Sequence, residues 1–300
     1  MSDKRTVFTA VCGRTNAGKS TLVNLLVGEK IAIVSAKPQT TRTQINGILT
    51  CNNTQYVFVD TPGFHIEKSA LSKHMHKSIR GAVAGVDVIL LVADAIKRPF
   101  ISREIAESSS DVVLCLNKVD LVKSKGGILT LIEDYAKFRE FVEIVPVSAK
   151  DGTNVEKLLP IIERYAKPCD EFFYDSELPT DQPERIWLSE VIREKLLHEL
   201  HEELPHGIAV QIESIEYSKT NRGADIVDLS AVIVCEKASH KGMIIGRQGA
   251  TLKKIGSIAR LETENYFGCK VHMKLWVKVA EDWRNRENLI SEYGLNADYS

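Results

Sequence analysis

Residues 13–20, Gly13-Arg14-Thr15-Asn16-Ala17-Gly18-Lys19-Ser20, restrict what this chain can fold into more than any other stretch. They follow the apolar run Val7 to Val11 and open a helical pattern, the strand-loop-helix context that a Walker A spacing requires. Glycine permits backbone conformations and close approach that a Cβ would block, so successive N–H groups can wrap a phosphate at the positive end of the helix. Lys19 is then placed to reach β- and γ-phosphates, Ser20 to ligate Mg²⁺, and Thr21 continues the same turn. Such a loop belongs on an open α/β sheet. Gln55 to Val59, Val86 to Ala93, Val112 to Leu116 and Val142 to Val147 read as further buried strands separated by helical patterns. The expectation for residues 1–166 is a doubly wound, mostly parallel sheet, with its chemistry at the carboxyl ends of the strands.

Three more motifs fall at such ends. Asp60-Thr61-Pro62-Gly63 closes one strand; Asp60 is expected to hold Mg²⁺ and the Gly63 amide to sense a γ-phosphate, with Phe64 next in line. Between this motif and the first loop lies Pro38-Gln39-Thr40-Thr41-Arg42-Thr43, where a threonine can close the Mg²⁺ shell; Thr41 is favoured and Thr40 stands second. Asn117-Lys118-Val119-Asp120 ends another strand. A buried Asp120 can accept from both N1–H and the 2-amino group of guanine, donors that adenine lacks, so the expected nucleotide is GTP or GDP rather than ATP. Ser148-Ala149-Lys150 would place the Ala149 amide on the guanine O6. The catalytic set is expected to be Asn16, Lys19, Thr41 and Gly63.

From Ala166 to Pro183, prolines at 168, 179 and 183 and scattered acids leave no periodicity, and residues 167–183 read as a linker. After it the rhythm changes. Glu184 to Leu200 has helical spacing, Ile208 to Tyr217 and Ile226 to Val234 alternate, His240 to Ile245 and Ala250 to Tyr266 are helical around a glycine-rich corner, and Val271 to Val279 is a last strand. A terminal helix over Asp282 to Tyr293 is expected within a tail at 281–300. The order α-β-β-α-α-β over 184–280, with Gly246-Arg247-Gln248-Gly249 between two helices, is the layout of a type II KH domain, whose glycines let single-stranded RNA lie against the loop. The net charge of −1 argues for no polyanion partner, but from Lys237 to Lys278 there are nine Lys or Arg against two acids. Lys241, Gly242, Ile245, Gly246, Arg247, Gln248, Gly249, Lys253 and Lys254 form the expected RNA-binding set, although Ile245 also has core spacing. A rival reading uses the acidic face of residues 184–203 as a protein-interaction surface.

The four ordered nucleotide motifs, with Asn16, Thr41-Arg42, Phe64 and the run His74-Met75-His76-Lys77, resemble the translation-factor-related GTPases and, within them, the Era family of bacterial ribosome-assembly GTPases. The resemblance spans essentially the whole chain. It implies binding to the 3′ region of 16S rRNA and action in maturation of the 30S ribosomal subunit. It also implies slow intrinsic hydrolysis, because Phe64 stands where small signalling GTPases carry a water-orienting glutamine. Asn16 either helps to bind K⁺ beside the phosphates or only caps local backbone.

Composition bounds the rest. At 44% hydrophobic and 26% charged, the 300 residues suit two globular domains. The six cysteines are scattered without a Cys-x-x-Cys pair, which argues for thiols in a reducing compartment rather than zinc or disulfides. Met1 to Arg5 lead straight into a strand-like stretch and the run Val88 to Ala93 is far too short to span a bilayer, so neither a secretory signal nor an integral membrane segment is expected. A cytoplasmic monomer that does not use DNA is the expectation, with peripheral association at the inner face of the cell membrane left open.

Overall fold

The computed structural model describes residues 3–35, 37, 39–64, 69–200, 207–221 and 223–295. Pro38, residues 201–203 of the expected acidic face and residues 296–300 of the tail lie outside them. The chain divides into two compact units with the main boundary between Gln182 and Pro183, the described residues 69–71 at the start of α2 being counted with the second unit.

The first unit carries β1 (Arg5–Cys12), α1 (Lys19–Val27), β2 (Ile45–Cys51), β3 (Thr54–Asp60), α2 (Ala70–Ala84), β4 (Val88–Asp94), α3 (Arg103–Ala106), β5 (Val112–Asn117), α4 (Lys125–Ala136), β6 (Glu143–Pro146), α5 (Leu158–Glu163) and β7 (Lys167–Pro168). The sheet order is β2-β3-β1-β4-β5-β6, parallel throughout except for β2, which runs antiparallel to β3. Because a strand alternates faces, Val88, Leu90 and Val92 enter the core beneath α1 and α5, while Ile89, Leu91 and Ala93 enter the one beneath α2, α3 and α4. That double burial is why these strands read as unbroken apolar runs. β1 lies between β3 and β4, where the order reverses, so its following loop opens at the crevice of the sheet.

The segment read as an aperiodic linker is docked along much of its length. β7 pairs antiparallel with the start of β1, the Ile48 amide donates to Pro179 O at 2.8 Å, and Gly47 bridges Thr180. Fully buried Gln55 donates to Tyr174 O at 3.0 Å and accepts from Tyr174 N at 3.1 Å. These are long-range pairings, and periodicity within the segment carries no trace of them.

The second unit contains α6 (Glu184–Glu199), β8 (Ile208–Lys219), β9 (Asp225–Cys235), α7 (Ala238–Ile245), α8 (Ala250–Phe267), β10 (Lys270–Val279) and α9 (Glu287–Glu292). The sheet order is β10-β9-β8, with β10 parallel and β8 antiparallel to β9. Leu188, Ile192 and Leu196 of α6, Ile244 of α7 and Ile255 and Ala259 of α8 pack on one face of it. Residues Leu188 to Leu197 of α6 are buried throughout, so Glu190 and Glu194 of the expected acidic face are not offered to a partner, while Glu184 and Glu199 at the helix ends are half-buried. Two of its acids turn inward: Glu190 pairs with Arg193, and Glu194, with Glu262 of α8, flanks Lys195. The expected terminal helix is a single 3₁₀ turn, Trp283–Asn285, followed by the short α9. No helix among the described residues is long and apolar enough to cross a membrane.

Candidate functional site

At the carboxyl edge of the larger sheet, a cleft of about 410 Å³ is lined by Thr15, Asn16, Gly18, Lys19, Ser20, Thr21, Thr40, Thr41, Gly63 and Lys118, with Ile33, Val34, Ser35, Gln39 and Lys97 completing it. The loop after β1 is held in shape by backbone geometry. Gly18 caps α1 at φ 96°, and a Cβ there would lie 2.2 Å from Asn117 Nδ2, so only glycine lets the two loops meet. Arg14 turns its guanidinium over the Phe100 ring, 5.3 Å from the centroid, and so offers the cleft only its backbone. Lys19 is buried and its ammonium donates to Gly13 O and Arg14 O, both at 3.3 Å. Burial depresses its pKa, against the pull of Asp60, and this leaves a partly desolvated cation facing the loop that would hold phosphates.

One wall of the cleft gathers oxygens. Ser20 Oγ donates to Asp60 Oδ2 at 2.7 Å and lies 2.8 Å from Thr41 Oγ1. Because Ser20 has one hydroxyl proton and gives it to the carboxylate, Thr41 must be the donor in the second bond. Thr40, the alternative, instead donates to Lys37 O at 2.7 Å. The other Asp60 oxygen, Oδ1, is buried without a hydrogen-bond partner, and desolvation pushes the carboxyl up to about 6 despite Lys19 and Ser20. An orphaned carboxylate oxygen beside two hydroxyls suits a hard divalent cation such as Mg²⁺, which completes its shell with phosphate and water oxygens. No cluster of three or more His, Cys, Asp or Glu occurs among the described residues, so a cation here depends on these hydroxyls and on its ligand. The loop after β3 is stitched to the first: Thr61 Oγ1 donates to Val11 O at 3.0 Å and Phe64 N to Gly13 O at 3.2 Å. Phe64 itself is buried in the core near Phe100, away from the cleft.

The base-side motifs converge on Asn117. Its Nδ2 donates to Ala17 O at 2.8 Å, and its Oδ1 accepts from Lys118 N at 2.8 Å and Ala149 N at 2.9 Å. Val119 N donates to Val147 O, and Ser148 Oγ donates to Asp120 Oδ1 at 2.9 Å. Two expectations change here. Asp120 is exposed rather than buried, because it sits at the rim where the 3₁₀ turn Val119–Leu121 leaves β5, so only a bound base would cover it. The Ala149 amide is already engaged by Asn117, and an O6 acceptor would have to share it. Lys150, next in the motif, is exposed. Asp94, at the carboxyl end of β4, escaped sequence reasoning: its Oδ2 accepts from Lys118 Nζ at 2.7 Å, while that ammonium also donates to Asn16 O at 2.6 Å. The only sequence signal was an acid ending an apolar strand.

In the second unit, Gly246 stands at φ 74°, and a Cβ there would lie 2.2 Å from Thr251 Oγ1, which pins the corner between α7 and α8. Arg247 and Gln248 are exposed at its tip. Beside it an open groove of about 510 Å³ is lined by Gly249, Leu252, Lys253, Gly256, Ser257 and Arg260 of the α8 side and by Met273 and Leu275 of β10. The structure sorts the expected RNA set. Lys253 lines the groove, but Lys254, about 100° further round the helix, pairs with Glu199 at 2.8 Å. Ile245 packs on the core, whereas Lys241 and Gly242 are exposed on α7 outside the groove lining. Arg260, not in the expected set, is two turns along α8 from Lys253 on the groove side.

Comparison with known proteins agrees with both halves. A family model described as 50S ribosome-binding GTPase matches residues 8–118, and a KH domain model matches residues 203–284. GTPase Era of Clostridioides difficile is 44% identical over 96% of this chain and 98% of its own length. The Caldanaerobacter subterraneus GTPase Era is 43% identical over 98% and 99%. The chain belongs to the Era family of GTPases. Two solved Era structures share its whole architecture at 33% identity. A crystal structure of Era in complex with MgGDPNP and nucleotides 1506–1542 of 16S ribosomal RNA matches at TM-score 0.91 over 98% of this chain and 99% of that one. A single-substitution variant of Aquifex aeolicus Era bound to GDP·AlF4⁻ matches at TM-score 0.90 over 97% and 99%. As an Era-family GTPase, the chain therefore joins a P-loop GTPase unit with a mostly parallel sheet to a KH unit.

Proposed function

We propose that this Era-family GTPase is a GTP-controlled RNA-binding switch that holds the 3′ region of 16S rRNA during maturation of the 30S subunit. The observation that carries the reading is its full-length likeness to the solved Era complex with MgGDPNP and 16S rRNA nucleotides. In this reading the domains are a GTPase domain at 1–166, a linker at 167–183, a KH domain at 184–280 and a tail at 281–300. The protein works as a cytoplasmic monomer.

The roles follow from the site. Backbone N–H groups of Gly13 to Gly18 surround the β-phosphate, and Lys19 neutralises β- and γ-oxygens. Ser20, Thr41 and Asp60 would hold Mg²⁺, which would supply positive charge to offset that developing on the phosphates. Thr61 and the Phe64 amide tie the Asp60 loop to the end of β1 and the loop after it, which sets Gly63 against Thr15, where its amide senses a γ-phosphate. Asn117 joins the phosphate loop to both base loops, Lys118 lies between Asn16 and Asp94, and Asp120 reads the guanine edge. Asn16 would hold K⁺ beside the phosphates, and that cation would supply positive charge there. In the KH unit, Arg247, Gln248, Lys253 and Arg260 meet RNA phosphates along the Gly246 to Gly249 corner and its groove.

The test is capture of RNA by the full chain loaded with a GTP analogue, with GDP, or with no nucleotide, followed by sequencing. Enrichment of the 3′ end of 16S rRNA in the GTP-analogue sample alone is expected. Recovery of no RNA, or of the same RNA in all three states, overturns the switch.

A further inference from the structure

The KH groove occupies one face of the small sheet, and β10 borders it. Because side chains alternate along a strand, Met273 and Leu275 face the groove, while Lys270, His272, Lys274, Trp276 and Lys278 stand on the opposite face. The register sets Lys274, Trp276 and Lys278 beside Ser230, Val232 and Val234 of β9. α9 approaches from the β8 side, where Glu292 lies 3.5 Å from Gln211, while Lys274, Trp276 and Lys278 of β10 are exposed. Apart from Glu292, which reaches Gln211 two strands from Trp276, the acids beside this face lie toward its other end: Asp228 is 3.4 Å from His272, with Glu216 opposite it on β8, and Glu264 near the end of α8 pairs with Lys270. Lys274 and Lys278 make no ion pair with any described residue. Trp276, between them, keeps 48% of its surface exposed, an unusual position for a large aromatic.

We propose that this outer face of β10 is a second RNA-contact surface, in which Lys274 and Lys278 take backbone phosphates and Trp276 stacks on a base, for nucleotides that leave the groove around the β10 edge. The inference rests on the RNA-binding reading above. A Gly-x-x-Gly corner clamps about four nucleotides. The RNA bound by the related Era spans nucleotides 1506–1542, far more than one groove holds. Lysines on an edge strand also deter pairing with other strands, but that role needs no exposed indole between them. A cationic track with an aromatic on it is the chemistry that binds single-stranded nucleic acid without reading sequence. Neighbouring β10 residues face opposite sides, so a strand rounding the edge from the level of Leu275 to that of Trp276 advances along β10 by only one residue's rise, about 3.3 Å.

The experiment measures affinity of the full chain, loaded with GTP analogue, for the RNA spanning nucleotides 1506–1542 and for fragments shortened from each end to the minimum still bound. Variants are Lys274→Glu with Lys278→Glu, Trp276→Ala, and Trp276→Phe, which keeps an aromatic face. The lysine pair is expected to weaken the long RNA at least tenfold and lower its salt slope by about one to two, leaving the minimal fragment unchanged. Trp276→Ala is expected to cost about tenfold on the long RNA only, and Trp276→Phe to restore most of it. Equal affinity of wild type and variants for the long RNA overturns the proposal alone. So does an equal loss on both RNAs, which would place the effect in the groove or the fold. If wild type binds neither RNA, the RNA-binding reading itself falls.

Discussion

The carboxylate of Asp94 holds the ammonium of Lys118 at 2.7 Å, and through it the Asn16 carbonyl of the phosphate loop at 2.6 Å. Asp94 is 4% exposed at the side chain and Lys118 29%, so the pair is partly desolvated and worth more than a surface bridge. Asp94→Asn keeps the shape and removes the charge. It should reduce GDP and GTP affinity alike by about tenfold, roughly 1.4 kcal/mol. Unchanged affinity for a fluorescent guanine nucleotide would show that Lys118 is oriented without it.

Sequence made the nucleotide loops legible because their chemistry is local. Short runs such as Asn117 to Asp120 carry the shape of one loop in their own residues, and Gly18 is dictated by the approach of Asn117. What sequence hid is what depends on distant partners. Asp94 is one acid at a strand end; its role exists only because β4 and β5 lie side by side. The docking of 167–181 needs Gln55 and Asn46, more than a hundred positions away. In the KH unit, helical spacing predicted the core, yet Lys253 and Lys254 were inseparable until the facing of α8 was known, and the exposure of Asp120 depends on where a turn leaves its strand.

Guanine selection is expected to reside in Asp120, whose Oδ1 is oriented by Ser148. Asp120→Asn should shift preference from GTP toward XTP, whose 2-oxo group needs the donor that an amide supplies. Competition binding with both nucleotides decides it. Tight GTP binding with no gain for XTP would assign the base reading elsewhere.

Phe64 is buried in the core and cannot orient water, so hydrolysis should be slow and should depend on added positive charge near the phosphates. At constant ionic strength the rate is expected to be higher in K⁺ than in Na⁺, and Asn16→Ala should abolish the difference. Equal rates in the two salts for the wild type would remove Asn16 from the catalytic set.

Thr41 is separated by only a few residues from β2, and β2 in turn grips the segment that leads to α6. Asn46 Nδ2 donates to Asp181 Oδ2 at 2.8 Å, and Tyr174 OH donates to the same oxygen at 3.1 Å. If nucleotide state moves Thr41, this contact is one route, beside the Gly47–Thr180 bridge, by which β2 reaches the segment before residue 183. Asn46→Ala with Asp181→Ala should leave GTP affinity unchanged while bringing the ratio of RNA affinities with GTP analogue and GDP toward one. Since coupling is reciprocal, RNA should then cease to alter GTP affinity by the same factor. A preserved ratio would mean that the strap is passive.

The corner at Gly246 to Gly249 offers a clean perturbation of RNA binding, because its structural and contact residues are separate. Gly246 fixes the turn against Thr251, whereas Arg247 and Gln248 are exposed and Gln248 already tolerates φ 51°. Aspartate also enters that left-handed region more readily than most residues, so Arg247→Asp with Gln248→Asp should leave the fold intact. A phosphate backbone lying on this corner would then meet two negative charges in place of one positive charge. RNA affinity should fall at least tenfold, about 1.4 kcal/mol, and its salt dependence should flatten as counterion release is lost. GTP binding, read on the same preparation, should not change, which separates repulsion from unfolding. Wild-type RNA affinity in the double variant would mean that the backbone does not pass this corner and that the groove along Lys253 and Arg260 is entered from elsewhere.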